Sequence, residues 1–206
     1  MIRRLIDIAF AAVVLMLGLP LLVVIAVAVC VDSPGSPIYG GWRSGKNGKP
    51  FRMWKFRTMV ANADRIGPGI TAKSDPRLTR LGPFLRASKM DELPQFVNLL
   101  LGDLTLIGPR PEVPDVVARY LPHQREVLAY RPGITGVGAL HYSVHGRIPD
   151  GVAADEFYIE HLLDEKLAIE IGYEKQRTFL ADIRVVGSTA ALIFSALGSS
   201  NRRQAA

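Results

Sequence analysis

The 206-residue sequence holds a single cysteine, Cys30, and only four histidines. One cysteine excludes an intrachain disulfide framework and a cysteine-rich zinc site. His141 and His145 have i,i+4 spacing, but no glutamate follows His141, so they read as core or surface histidines rather than a zinc-protease pair. There is no P-loop, and Gly133, Gly136 and Gly138 stand in the wrong order for a dinucleotide fingerprint. Internal repeats and low-complexity segments are missing as well. The net charge of +6 comes with no helix-turn-helix pattern and no aromatic stacking platform, which argues against a nucleic-acid partner.

Charge itself is absent from one long stretch. Between Asp7 and Asp32 lie 24 uncharged residues, Ile8 to Val31. As a helix they would extend about 36 Å, enough for a hydrocarbon core of roughly 30 Å. A secretory signal has a shorter apolar region and a small-residue cleavage site, and Val31-Asp32-Ser33-Pro34 is a poor one, so the segment reads as retained in the membrane. Arg3 and Arg4 precede it; Arg43, Lys46, Lys49, Arg52, Lys55 and Arg57 follow it with no acid among them. Cationic flanks favour the cytoplasmic side, and here both flanks are cationic. Pro20, near the middle, removes a helical hydrogen bond. The residues alone fit two arrangements equally: a kinked transmembrane helix, or one that enters a leaflet and returns to the same face.

After this anchor, glycine and proline are dense from Ser33 to Pro50, as in turns around short strands. Phe51–Arg57 alternates apolar and basic residues with the period of a half-buried strand. Residues 60–76 read as loop. A helix is predicted from about Met90 to Leu101, with Ser88 as N-cap and Gly102 past its end. Pro114–Tyr130 and Ala153–Tyr173 are further helix candidates, separated by a turn-rich stretch from Arg131 to Gly151. Val185–Gly198 is apolar but short for a span, and fits an interfacial or a buried helix equally. The expected fold is α+β and mostly helical. Its divisions are a membrane helix over 1–32, a catalytic domain over 33–198 integral with it, and a disordered tail over 199–206.

The strongest local signal is Asp91-Glu92. Adjacent carboxylates can hold Mg2+, and an ionised carboxylate can attack phosphorus. At an ordinary pKa of about 3.9, Asp91 needs no base to become a nucleophile. The competing reading is a capping box, with Asp91 three residues after Ser88, and on the pair alone that reading is the better one. In Gly108-Pro109-Arg110-Pro111-Glu112 two prolines fix the backbone around one guanidinium suited to bidentate phosphate binding. A rigid turn with an exposed arginine explains it equally. Arg131-Pro132-Gly133 is a weaker case of the same kind, and Lys55 and Arg57 could add charge to a diphosphate site.

Taken in order along the chain, these features resemble the bacterial sugar transferase family, the monotopic phosphoglycosyl transferases, in its minimal single-domain form. The resemblance rests on the apolar helix through Asp32-Ser-Pro, Arg43-x-Gly45, Lys55-Phe-Arg-Thr-Met59 and Asp75-Pro-Arg-Leu-Thr-Arg-Leu-Gly82. It continues through Leu85-Arg86, Asp91-Glu-Leu-Pro-Gln95, Asn98, Gly102-Asp103, Gly108-Pro-Arg-Pro111 and Arg131-Pro-Gly-Ile-Thr-Gly136. It implies transfer of sugar 1-phosphate from a nucleotide diphosphosugar, usually a UDP-sugar, to undecaprenyl phosphate with release of UMP. It also implies a re-entrant helix bent at Pro20 and a monotopic protein facing the cytoplasm from the bacterial inner membrane, in contact with membrane lipid. By the same resemblance Asp91 forms a phosphosugar–enzyme intermediate, Asp91 and Glu92 organise Mg2+, and Lys55, Arg86, Arg110 and Arg131 bind substrate. Departures are Leu19 before Pro20, Lys89-Met90 before the acids, Gly41 where glutamine is common, and the missing glutamine after Thr135-Gly136. The sequence leaves the sugar, the pathway and the oligomeric state open. The rival reading is a catalytically inactive anchor or scaffold of the same fold.

Overall fold

A computed structural model describes residues 2–63, 75–141, 148–149 and 152–203, with side chains 141 and 193–203 excluded. Most of the 60–76 loop reading, His145 and the end of the tail therefore lie outside the described residues, as does the side chain of His141.

Helix α1 (Ile2–Asp32) is one continuous element through Pro20. It is long and apolar enough to cross a membrane, and only 11% of its most apolar window is buried by the rest of the protein. The two acids that bound its uncharged run both fasten it to the body. Near the N-terminus, Asp7 is 5% exposed and accepts from Thr105 Oγ1 (2.8 Å) and the Leu106 N–H (3.1 Å). Arg4 donates to the Leu99 and Leu100 carbonyls, the latter at 2.8 Å, and Phe10 packs on Phe96. At the other end Asp32 accepts from the Leu81 N–H at 3.1 Å, while Ile25 and Val29 pack in one cluster with Phe56 and Leu85.

Strands β1 (Ile38–Ser44) and β2 (Pro50–Phe56) form an antiparallel hairpin. The alternation read in Phe51–Arg57 holds only through Met53: Phe51 and Met53 are buried on one face, but Lys55 shares that face and Phe56, on the other, is buried as well. Arg57, just past the strand, does not join the acids. It donates instead to the carbonyls of Ser33 (2.6 Å), Pro34 (2.7 Å) and Ser36 (2.8 Å), fixing the turn that leaves α1.

Helix α2 (Gly82–Ala87) is followed by a 3-10 turn over Met90–Glu92 and by α3 (Gln95–Leu101). The helix expected over Met90–Leu101 is therefore divided, and its division falls at Pro94, which cannot donate within a helix interior. Ser88 is not an N-cap. Its hydroxyl donates back to the Phe84 and Leu85 carbonyls (2.8 and 3.1 Å), closing α2. Lys89 takes a left-handed conformation (φ 59°) and turns the chain into Met90–Glu92. The capping-box reading of Asp91 is thereby overturned.

Strands β3 (Thr105–Ile107) and β4 (Gly133–Thr135) pair in parallel, bringing the Arg131–Gly133 segment against Gly108. A side chain at Gly133 would run into the Gly108 backbone, so glycine is needed there. Pro114–Tyr130 is not one helix: α4 (Pro114–Ala118) ends before Leu121-Pro122, and a 3-10 segment covers Gln124–Ala129. A short α5 (Val137–His141) follows β4. The Ala153–Tyr173 expectation holds as α6 (Ala154–Phe157), a π-helical turn (Tyr158–Leu162) and α7 (Leu163–Lys175). Helix α8 (Phe179–Arg203) runs past the Gly198 limit read from the sequence. It rests on the body through Asp182 and Val185 and leaves Phe179, Leu180 and Ile183 exposed.

Candidate active site

Three structural choices place Lys55 opposite the acid pair. The alternation of β2 turns it to the inner face. Asn98, fully buried on α3, then fixes the edge of β2 by accepting from the Trp54 N–H (3.0 Å) and donating to the Arg52 carbonyl (2.7 Å). The left-handed Lys89 finally directs Met90–Glu92 toward that edge.

Glu92 Oε1 is the ionic hub. It accepts from Lys55 Nζ at 2.9 Å, with Lys89 Nζ and Arg110 Nη2 each at 3.8 Å. Burial alone would raise the Glu92 pKa, but the charges of Lys55, Arg110 and Lys89 outweigh it and hold the carboxyl well below the usual carboxylate range. Burial lowers the pKa of Lys55, against the opposing pull of Glu92.

Asp91 is set differently. It is 5% exposed, its Oδ2 is 3.9 Å from Lys55 Nζ, and its buried Oδ1 has no hydrogen-bond partner among the described residues. Burial pushes its pKa up, opposed mainly by Lys55, so the ordinary value read from the sequence does not apply. Arg86 contributes charge to Asp91 from beyond ion-pair distance, and its Nε donates to Thr58 Oγ1 at 2.9 Å.

Of the six residues singled out in the sequence, Lys55, Asp91, Glu92 and Arg110 converge on one another, with Arg86 beside them. Arg131 packs its backbone against Gly108, and no ion pair among the described residues involves its side chain.

A second buried cluster adjoins the first and was not foreseen. Glu112 accepts from Lys166 and, at 2.5 Å, from the Tyr158 hydroxyl. Lys166 Nζ lies 3.9 Å from Glu170 Oε1, which in turn accepts from the Arg110 N–H at 3.2 Å. Lys166 and Glu170 are each 2% exposed. A lysine and a glutamate at i,i+4 read as a solvated helix face, and nothing in the sequence signals their burial. Glu112, next to the Arg110 turn, carried the only hint.

Among the described residues no three acids, histidines or cysteines cluster as a complete metal cage. The unpartnered Asp91 Oδ1 beside Glu92 fits another mode, in which one or two carboxylates hold Mg2+ and substrate phosphates complete the shell.

The family profile described as bacterial sugar transferase matches residues 1–196. A Bacillus subtilis (strain 168) relative is 40% identical over 151 residues, 71% of this chain and 80% of that protein. The UDP-N-acetylgalactosamine-undecaprenyl-phosphate N-acetylgalactosaminephosphotransferase of Aeromonas hydrophila is 35% identical over 204 residues, covering 96% of this chain and 45% of that one. The UDP-glucose:undecaprenyl-phosphate glucose-1-phosphate transferase of Escherichia coli (strain K12) is 41% identical over 143 residues, 66% of this chain. The chain thus spans most of the Bacillus protein but less than half of the Aeromonas and Escherichia ones. With the profile covering almost its whole length, the chain belongs to the bacterial sugar transferase family.

Proposed function

We propose that this transferase moves sugar 1-phosphate from a UDP-sugar to undecaprenyl phosphate, through a phosphosugar–Asp91 intermediate, and releases UMP. The observation that carries the assignment is the unequal state of the two carboxylates. Glu92 Oε1 is already bonded to Lys55 and faced by two more cations, whereas the buried Asp91 Oδ1 has no hydrogen-bond partner among the described residues. Glu92 is committed to the cations, and Asp91 keeps the unspent bonding capacity that a phosphorus would take up.

In the first step an Asp91 oxygen attacks the sugar-bearing phosphorus. A new P–O bond forms, the bond to the bridging oxygen breaks, and the electron pair leaves on the phosphate of UMP. In the second step a phosphate oxygen of undecaprenyl phosphate attacks the same phosphorus, and the Asp91 carboxylate is regenerated. Such a transfer depends on charge neutralisation and positioning more than on acid–base chemistry. Lys55 holds Glu92 and screens Asp91 from the incoming diphosphate, and Arg110, 43% exposed, is free to grip phosphate oxygens. Arg86, oriented by Thr58, adds positive potential behind Asp91, and Arg131 is placed on the loop beside Gly108. Asp91 and Glu92 would hold Mg2+, which when bound neutralises phosphate charge that would otherwise repel the nucleophile.

The anchor fits a donor from water and an acceptor from lipid. Arg4 and Asp7 at one end of α1, and Asp32 at the other, are all bonded to the same body. A straight span of that length, about 46 Å, would put those ends on opposite sides of a bilayer. Their common attachment supports a re-entrant helix bent near Pro20, entering from the cytoplasmic face of the inner membrane and setting the site at the lipid surface. Single cysteines near Arg3 and Lys46, in a Cys30-free background, should label from one membrane face; labelling from opposite faces would establish a span.

The chemistry is tested by UMP release from a panel of UDP-sugars with undecaprenyl phosphate and Mg2+. Wild type should turn over at least one donor and Asp91→Asn none. Equal behaviour of the two would instead identify an inactive scaffold.

A further inference from the structure

The hairpin carries, beside Lys55, a second set of residues that the chemistry above does not use. In the β1–β2 register Tyr39 lies opposite Lys55, Gly41 opposite Met53, and Arg43 opposite Phe51. Residues directly opposite in an antiparallel pair share a face, so Tyr39, Gly41 and Arg43 line the same face from which Lys55 reaches Glu92. Gly41 is buried beneath the other two. A Cβ there would sit 3.1 Å from the Tyr39 ring, 3.4 Å from its hydroxyl and 3.5 Å from Arg43 Nη1, so the ring and the guanidinium converge over the glycine.

The far end of this face abuts the Arg110 turn. Ser44 N–H donates to the Glu112 carbonyl at 2.9 Å, and Ser44 and Gly45 line one small cleft with Pro109, Arg110 and Glu112. Arg43 is thus a second guanidinium beside Arg110. Among the described residues its side chain donates to the neighbouring Trp42 carbonyl and enters no ion pair. Burial, and then the like charge of Arg110, lower its pKa. The carboxylate that acts on both guanidiniums, Glu112, is already bonded to Tyr158 and Lys166, so an added anion would find two cations to hold it.

We propose that Tyr39 and Arg43 form the subsite for the nucleoside monophosphate half of the donor, Arg43 holding its phosphate and the exposed Tyr39 ring flanking its base. The proposal rests on the reading of Asp91 as the nucleophile. The phosphate that departs from Asp91 gains a negative charge, and Arg43 stands on the Arg110 side of Glu92 to receive it.

Full-length protein in detergent tests this through inhibition of turnover by UMP and by inorganic pyrophosphate. Arg43→Gln should weaken both inhibitors and raise KM for the UDP-sugar by about ten-fold, the loss of one charge-assisted hydrogen bond, with KM for undecaprenyl phosphate unmoved. Arg43→Lys should recover part of the loss. Tyr39→Ala should weaken UMP by about five-fold or more and leave pyrophosphate alone, as loss of a stacking surface would. Wild-type inhibition by UMP in Arg43→Gln, or equal damage to donor and acceptor KM, would overturn the subsite and leave the nucleophile standing. A wild-type protein that neither turns over UDP-sugars nor is inhibited by UMP would overturn both.

Discussion

Two buried charge clusters meet at the Arg110 turn, and they are built to opposite ends. Around Glu112, Lys166 and Glu170 the cation is sealed: Lys166, 2% exposed, lies between two carboxylates, a tyrosine hydroxyl completes the first, and the Arg110 N–H binds the second. Around Asp91 and Glu92 the cations reach the surface, with Lys89 53% and Arg110 43% exposed, and they crowd one oxygen of Glu92. Among the described residues each cluster has one buried carboxylate oxygen without a hydrogen-bond partner, Glu170 Oε2 in the first and Asp91 Oδ1 in the second. Burial raises the pKa of both acids, so the shift alone does not tell a site from a scaffold. What differs is the neighbourhood. Beside Asp91 stand exposed cations that a ligand can reach; beside Glu170 stands a lysine that nothing can reach.

The largest effect that can break this comparison lies in the sealed cluster. Lys166→Met strands two buried carboxylates and should cost about 3 kcal/mol or more of stability, read as a fall in the midpoint of thermal unfolding in detergent. A loss near zero would mean that the cluster is not the structural one. Lys55→Met removes the hydrogen-bonded partner of Glu92 in the more open site, where solvent reaches the remaining groups. A smaller loss of about 1–3 kcal/mol is expected there, and a cost equal to that of Lys166→Met would erase the distinction.

The smallest effect has the opposite sign. Because its folded pKa is raised, Asp91 binds a proton more readily in the folded chain than in the unfolded one. Stability therefore falls as pH rises from its unfolded to its folded pKa, and remains lowered above it. Asp91→Asn should raise the midpoint at neutral pH while removing turnover, and the gain should vanish in acid. A lower midpoint at neutral pH would place Asp91 among the stabilising residues.

The sequence disclosed the residues of the Asp91 cluster better than their support. Asp91, Glu92, Lys55 and Arg110 were all visible as residues, but an apolar–basic alternation points basic side chains outward, so the inward turn of Lys55 was not. The division of the Met90–Leu101 helix was foreseeable from Pro94, because a proline there competes with the capping signals around it. The bonds of Ser88 to Phe84 and Leu85 were not, since a serine that caps and one that bonds backward look alike in sequence. Nor was the work of Arg57, which shares Lys55's alternation but lies past the strand, where the turn after α1 takes it. Tyr39 and Arg43 join the Lys55 face only through a strand register that composition does not reveal.

The most direct test omits the acceptor. Purified protein mixed with a UDP-sugar donor and Mg2+, with undecaprenyl phosphate extracted, should release UMP in a burst of about one equivalent per enzyme and then stop, leaving the sugar phosphate on Asp91. Asp91→Asn should give no burst while Glu92→Gln retains a slower one. UMP release that begins only when undecaprenyl phosphate is added would contradict the covalent account and point to direct transfer between the two substrates.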